Sequence, residues 1–161
     1  MSEFVMYEAE FRRIDDELKH LYQLSNAKLV FLVDKNGQLI ASTGDTHDID
    51  TTALASLTAG NIAATDGIAK LLGQKEFSIL FHEGDKDNIH ISLVASKVIL
   101  VVVFDQRSSL GLVRLRVRKS SEALTRIFYE MDRKYATGEQ QREEKSPFAE
   151  ITDEDIDRLF R

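Results

Sequence analysis

Leu110–Met131 reads LGLVRLRVRKSSEALTRIFYEM, and its first half carries two conflicting signals. From Val113 to Arg118 apolar and basic residues alternate, as they do along a half-buried strand. Yet Leu110, Val113, Val117, Leu124, Phe128 and Met131 fall on one helical stripe that runs through the whole segment. A period sustained over the full stretch outweighs a short alternation inside it, so the spacing predicts a single helix from about Ser109 to Tyr135. Ser108 or Ser109 can cap it. The domain therefore closes on a helix rather than on another strand.

Working back from that helix, KVILVVVFD (Lys97–Asp105) is a continuous apolar run, which places it centrally in a sheet. FSILFHEG and the alternating IHISLVAS precede it and are joined by the polar turn DKDN. Further upstream, Leu54–Gly73 (LASLTAGNIAATDGIAKLLG) reads as a second helix, capped by Asp50 or Thr51 and stopped at Gly73. Before it come KLVFLV and QLIAST, two antiparallel strands joined by DKNG. The Asn36-Gly37 pair suits the positive φ angles of a tight hairpin. The first segment is an amphipathic helix with Tyr7, Phe11, Ile14, Leu18 and Leu21 on one face.

The order is helix, two strands, helix, three strands, helix, an α+β domain over 1–136. A polar linker with the chain's only proline, Pro147, follows. FAEITDEDIDRLFR then forms a short acidic tail helix, so 137–161 reads as linker plus tail. The tail's apolar Ile156, Leu159 and Phe160 suit a helix docked in a partner's groove; the bland alternative is a frayed terminus.

Composition narrows the function classes. The 161 residues include 43% hydrophobic residues, enough for a packed core. The net charge of −6 argues against general nucleic-acid binding. No cysteine is present, which excludes disulfides, thiolate catalysis and cysteine metal sites and fits a reducing compartment. The start, MSEFVMYEAEFRR, lacks the basic and apolar regions of a signal peptide. The apolar run Val98–Phe104 is far shorter than the roughly 20 residues of a membrane helix. A cytoplasmic protein without membrane insertion is expected.

Chemistry is sparse. GxxxxGK[ST], GxGxxG and HExxH are all missing from the sequence. His20, His47, His82 and His90 read as exposed histidines rather than metal ligands, and His82 and Glu83 diverge as strand neighbours. The carboxylate runs read as solvated helix faces. No cofactor or metal is expected, and an interaction module fits better than an enzyme with its own active site.

Two helical faces are binding candidates. In the second helix Ser56, Gly60, Ala63, Gly67 and Lys70 form a narrow, almost side-chain-free face, despite the roughly 1 kcal/mol that each helical glycine costs. Leu54, Leu57, Ile68, Leu71 and Leu72 supply bulk to cover the sheet. The small face either packs within the domain or meets another molecule; the spacing leaves both open. In the third helix Arg116, Lys119, Arg126 and Arg133 form a basic stripe. Its alternative is a solvated face with i,i+4 pairs such as Glu122–Arg126 and Glu130–Lys134.

NAKLVFLVDKNGQLIAS, DTTALASLTAGNIAA and FDQRSSLGLVRLRVRK, in this order, resemble the hairpin, second helix and last helix of the roadblock / dynein light chain family. VMYEAEF and SPFAEITDEDIDRLF extend the resemblance to bacterial members that activate a small Ras-like GTPase in cell polarity and motility. The resemblance implies a five-stranded antiparallel sheet sandwiched by helices. It implies a homodimer with one continuous sheet, the second helices side by side, and two subunits bound to one GTP-loaded GTPase. It further implies activation without an inserted arginine, the GTPase's own arginine and glutamine being brought to the nucleotide. By position it assigns GTPase contact to Ala63, Ala64 and Gly67, and to the basic Arg13, Lys119 and Arg126. It gives the tail a separate contact that affects nucleotide exchange, and it is compatible with concentration at a cell pole.

Two other readings stand beside this one. One is a roadblock-type scaffold that binds a GTPase without stimulating hydrolysis. The other is a small-ligand sensor, disfavoured because polar side chains do not converge in the pattern. Arg107, in the loop DQRSSLG, is either a finger toward the nucleotide or a structural loop arginine, and the second is favoured.

Overall fold

The computed structural model describes residues 8–145 and Arg158, with side chains placed as far as Ala136 and at Arg158. The tail positions Ile156, Leu159 and Phe160 lie outside the described residues. The elements are α1 (Glu8–Ser25), β1 (Leu29–Asp34), β2 (Leu39–Gly44), α2 (Thr51–Leu71), β3 (Ile79–Glu83), β4 (Asn88–Val94), β5 (Val98–Phe104) and α3 (Leu110–Lys145). This is the expected order. The five strands form one sheet, β2-β1-β5-β4-β3, and every neighbouring pair is antiparallel.

β5 lies at the centre and is buried along its whole length, which explains its unbroken apolar run. Helices cover both faces of the sheet. Val30, Leu32, Leu100 and Val102 meet Ile14, Leu18 and Leu21 of α1 and Leu124 and Phe128 of α3. The alternate residues Leu29, Phe31, Val33, Ile99 and Val101 meet Ala55, Ala59 and Ile62 of α2. Successive strand residues point to opposite faces, so one sheet serves two cores. Each fully buried Leu or Phe contributes about 1.5–3 kcal/mol relative to exposure.

The helical reading of LGLVRLRVRK holds. Ser109 caps α3 by accepting from the Leu112 amide at 3.2 Å. The helix continues to Lys145, through 137–145, where the sequence reading placed a linker. Glu, Gln, Arg and Lys dominate that stretch and are good helix formers, which outweighs the single Gly138.

Two further expectations need correction. The β1–β2 turn is not a pair of positive-φ residues: only Gly37 takes one, at +90°. Asp34 closes the turn, its carboxylate accepting from the amides of Asn36 and Gln38, both at 2.9 Å. And Glu130 does not pair along its helix with Lys134. Arg13 donates to Glu130 at 2.5 Å, and Lys134 donates to Glu10 at 2.5 Å, joining α1 to α3. Glu10 is buried in that seam. Leaving a buried carboxylate unpaired costs far more than the few tenths of a kcal/mol that an i,i+4 pair contributes.

Candidate interaction surface on the second helix

α2 starts at Asp50, whose carboxylate accepts from the Ala53 amide at 3.0 Å. It ends in a left-handed Gly73, φ +72°, with the Gln74 amide donating to Ala69 O at 2.8 Å and the Gly73 amide to Lys70 O at 3.2 Å. That is the double bond pattern of a glycine helix stop. Between these ends, the Thr58 and Thr65 hydroxyls donate back to the carbonyls of Leu54 and Asn61. The Asn61 amide group lies 3.1 Å from His82 Nε2, tying α2 to the edge strand β3.

The helix rests on the sheet through Ala55, Ala59 and Ile62. The small face therefore does not pack inside the domain. Ser56, Gly60, Ala63, Ala64, Gly67 and Lys70 are all exposed. A Cβ added to Gly60 or to Gly67 would meet nothing within 4 Å. The expected bulky cover is also misplaced. Leu54 packs on the sheet, but Leu57 is 73% exposed, Leu71 88%, Leu72 65% and Ile68 53%. Small residues at the sheet let α2 sit close, and this turns its large aliphatic residues outward. Exposed aliphatic and small residues on one surface helix make it a candidate contact surface.

The sheet adds a second open element. Among the described residues β3 pairs only with β4 and ends the sheet, so its outer backbone groups are unpaired within it. Its Ile79 is half exposed.

The six residues assigned to GTPase contact do not form one patch. Ala63, Ala64 and Gly67 lie on α2. Arg13, Lys119 and Arg126 lie on α1 and α3, across the sheet from it. Arg13 and Arg126 line one shallow depression between α1 and α3, but Arg13 is engaged by Glu130. Lys119 is exposed on α3.

Arg107 is held by its neighbour. Its Nε and Nη2 donate to both carboxylate oxygens of Asp105 at 3.0–3.2 Å, and its carbonyl accepts from Asn26 at 2.6 Å. The hydrogen bonds from the Arg107 side chain, with that from its backbone amide, hold Asp105 below the usual carboxylate range. The structural reading of Arg107 is the one the geometry favours.

His90 is a residue the sequence reading missed. Far from lying on the surface, it is 1% exposed and faces α3. The signal was present: in an alternating strand covered on both sides, His90 and Ser92 occupy one buried face while Ile89, Ile91 and Leu93 occupy the other. Among the described residues no three His, Asp or Glu side chains gather as a metal site, and no helix is long and apolar enough to cross a membrane.

This fold is a five-stranded antiparallel sheet between α1/α3 and an α2 whose outer face is exposed, the shape of a small α+β interaction module. Residues 13–104 match the Roadblock/LC7 domain, and the chain belongs to that family. It is similar to Myxococcus xanthus MglB, with 59% identity over 79% of this chain and 96% of that one, at a TM-score of 0.76. It is also similar to the gliding protein MglB of Thermus thermophilus, with 32% identity over 81% and 98% of the two chains and a TM-score of 0.74. A structure of MglB in a tetrameric arrangement shares 31% identity over 81% and 98%, with a TM-score of 0.75. A comparison with curated proteins gives no match. Family and relatives together place the chain among MglB-like Roadblock/LC7 proteins.

Proposed function

We propose that this chain is a GTPase-activating protein for an MglA-like small Ras-like GTPase of bacterial cell polarity and motility, working as a homodimer in the cytoplasm and concentrated at a cell pole. The observation that carries the reading is the outward small face of α2, where Gly67 has open space around it. Such a face admits a partner's backbone at close range. Ala63, Ala64 and Gly67 are its proposed contacts. The exposed apolar residues along one side of it, Leu57, Ile68 and Leu71, together with the open β3 edge, suit a twin subunit. Two protomers per GTPase then present a paired α2 surface.

Stimulation proceeds by positioning. An inserted arginine contributes about 10³–10⁵ in rate in GTPases that use one. The loop arginine of this chain, Arg107, is occupied by Asp105. Contact through α2 instead favours the GTPase conformation in which its own arginine and glutamine reach the nucleotide, which acts on the same transition state by orientation. Arg13, Lys119 and Arg126 belong to a separate surface on the α1–α3 side. The tail residues Ile156, Leu159 and Phe160 are proposed as a further GTPase contact that affects exchange.

The test is single-turnover GTP hydrolysis by the cognate GTPase with and without this protein. The wild-type chain accelerates it, and Gly67→Arg, with an unchanged circular dichroism spectrum, does not. Undiminished stimulation by Gly67→Arg removes α2 as the contact. Binding without acceleration by the wild-type chain leaves the scaffold reading instead.

A further inference from the structure

On the sheet face opposite α2, a groove of about 870 Å³ runs between α3 and the β3–β4 half of the sheet. It forms because α3 covers the sheet only as far as β4, leaving the outer strand β3 open on this side. Ile79 and Val117 give it apolar walls. The exposed Arg114 and Arg118, one helical turn apart, stand along its α3 side, with Glu122 one turn further.

Its floor holds two polar side chains without partners. His90 is 1% exposed and Ser92 5%. Neither ring nitrogen of His90 and not the Ser92 hydroxyl finds a hydrogen-bond partner among the described residues. Folded proteins satisfy nearly all such groups. Two adjacent exceptions on one strand face, both lining the same groove, are hydrogen-bonding capacity that the described residues do not use. Two guanidinium groups against one carboxylate give the groove a positive balance within an acidic chain.

We propose that this groove binds a small organic anion, a carboxylate or phosphate monoester on a short apolar body, with Arg114 and Arg118 holding the anionic group and Ser92 and His90 donating hydrogen bonds. Burial, and the positive charge of Arg114 beside the ring, keep His90 below its ordinary pKa and therefore neutral. A neutral imidazole offers one N–H donor and adds no charge to the site. The apolar body of the ligand lies against Ile79 and Val117. Polar groups scattered along the sequence converge here through the pairing of β3 with β4 and the crossing of α3.

The test uses the full chain with phenyl phosphate, benzoate, inorganic phosphate and benzyl alcohol as probes. Long-range proton–nitrogen NMR correlations report on the His90 ring. Phenyl phosphate or benzoate is expected to bind saturably, to shift the His90 signals and to raise the melting temperature. Which of the two binds more tightly identifies the anionic group. Arg114→Gln with Arg118→Gln is expected to lose about tenfold or more in affinity, and Ser92→Ala several-fold. His90→Phe, which replaces the unpartnered ring by an apolar one, is expected to fold and to lose the site. Equal binding of inorganic phosphate overturns the proposal in favour of surface charge alone. Equal binding of benzyl alcohol overturns it in favour of an apolar cleft. Unchanged His90 signals at saturation, or full affinity in His90→Phe, also overturn it.

Discussion

Lys134 of α3 reaches across to Glu10 of α1 at 2.5 Å, although Glu10 is among the most deeply buried side chains of the domain. Beside it Arg13 crosses in the opposite sense to Glu130. The two pairs join the helices that cover one face of the sheet, and their charges make that layer sensitive to acid.

The hydrogen bond from Lys134 holds Glu10 below its ordinary pKa, and the one from Arg13 does the same for Glu130. A depressed folded-state pKa means that the unfolded chain binds protons first as pH falls. The stabilisation is complete above the unfolded value near 4.5 and is lost as pH drops through the folded values. Thermal melts from neutral pH down to about pH 3 should show a falling midpoint below that value. Glu10→Gln with Glu130→Gln should lower the midpoint at neutral pH and flatten the acid limb. An equally steep acid limb in the double variant would assign the effect to other carboxylates.

Gly60 and Gly67 have room for a side chain, so the protomer alone does not require them. Gly60→Ala and Gly67→Ala are each expected to add about 1 kcal/mol to protomer stability through helix propensity. Urea unfolding at low protein concentration measures this. If α2 meets its twin or a GTPase, the same variants weaken self-association or stimulated hydrolysis, so the gain shrinks as protein concentration rises. Destabilisation at every concentration would mean that these positions are filled from within the protomer.

Ala95 and Ser96 both occupy the left-handed region, at φ +55° and +54°, as the central residues of the turn Val94–Lys97 between β4 and β5. The Lys97 amide closes that turn on Val94 O at 3.0 Å. Asn-Gly is the preferred pair there, and an L-residue other than Gly or Asn costs roughly 1–2 kcal/mol in this conformation. Ala95→Asn with Ser96→Gly should raise the unfolding midpoint in urea, even after loss of the exposed Ser96–Glu76 hydrogen bond. A lower midpoint would show that the turn is held by its neighbours rather than strained.

Arg107→Ala is expected to leave stimulated GTP hydrolysis intact. The bidentate Asp105 pair it removes is exposed, and solvent-screened pairs of this kind add little to stability. Retained GTPase binding with lost stimulation would identify Arg107 as a finger and replace the positioning mechanism.

The element order was readable because each element carries its own period. The stripe from Leu110 to Met131 exceeded the alternation inside it, and Val98–Phe104 had no polar face because helices cover both sides of β5. Asp50, Ser109 and Gly73 marked helix ends through backbone groups within one turn of themselves. Local chemistry of this sort needs no knowledge of the rest of the chain.

What the tertiary structure decided was direction. α2 is apolar or small around most of its circumference, so its sequence was compatible with either face against the sheet. Close packing through Ala55, Ala59 and Ile62 selected one and turned Gly67 and Leu71 outward. Sheet order likewise placed Arg13 and Gly67 on opposite sides of one layer and buried His90 under α3. These outcomes depend on contacts between residues distant in sequence, and a periodicity within one segment carries no information about what lies across from it.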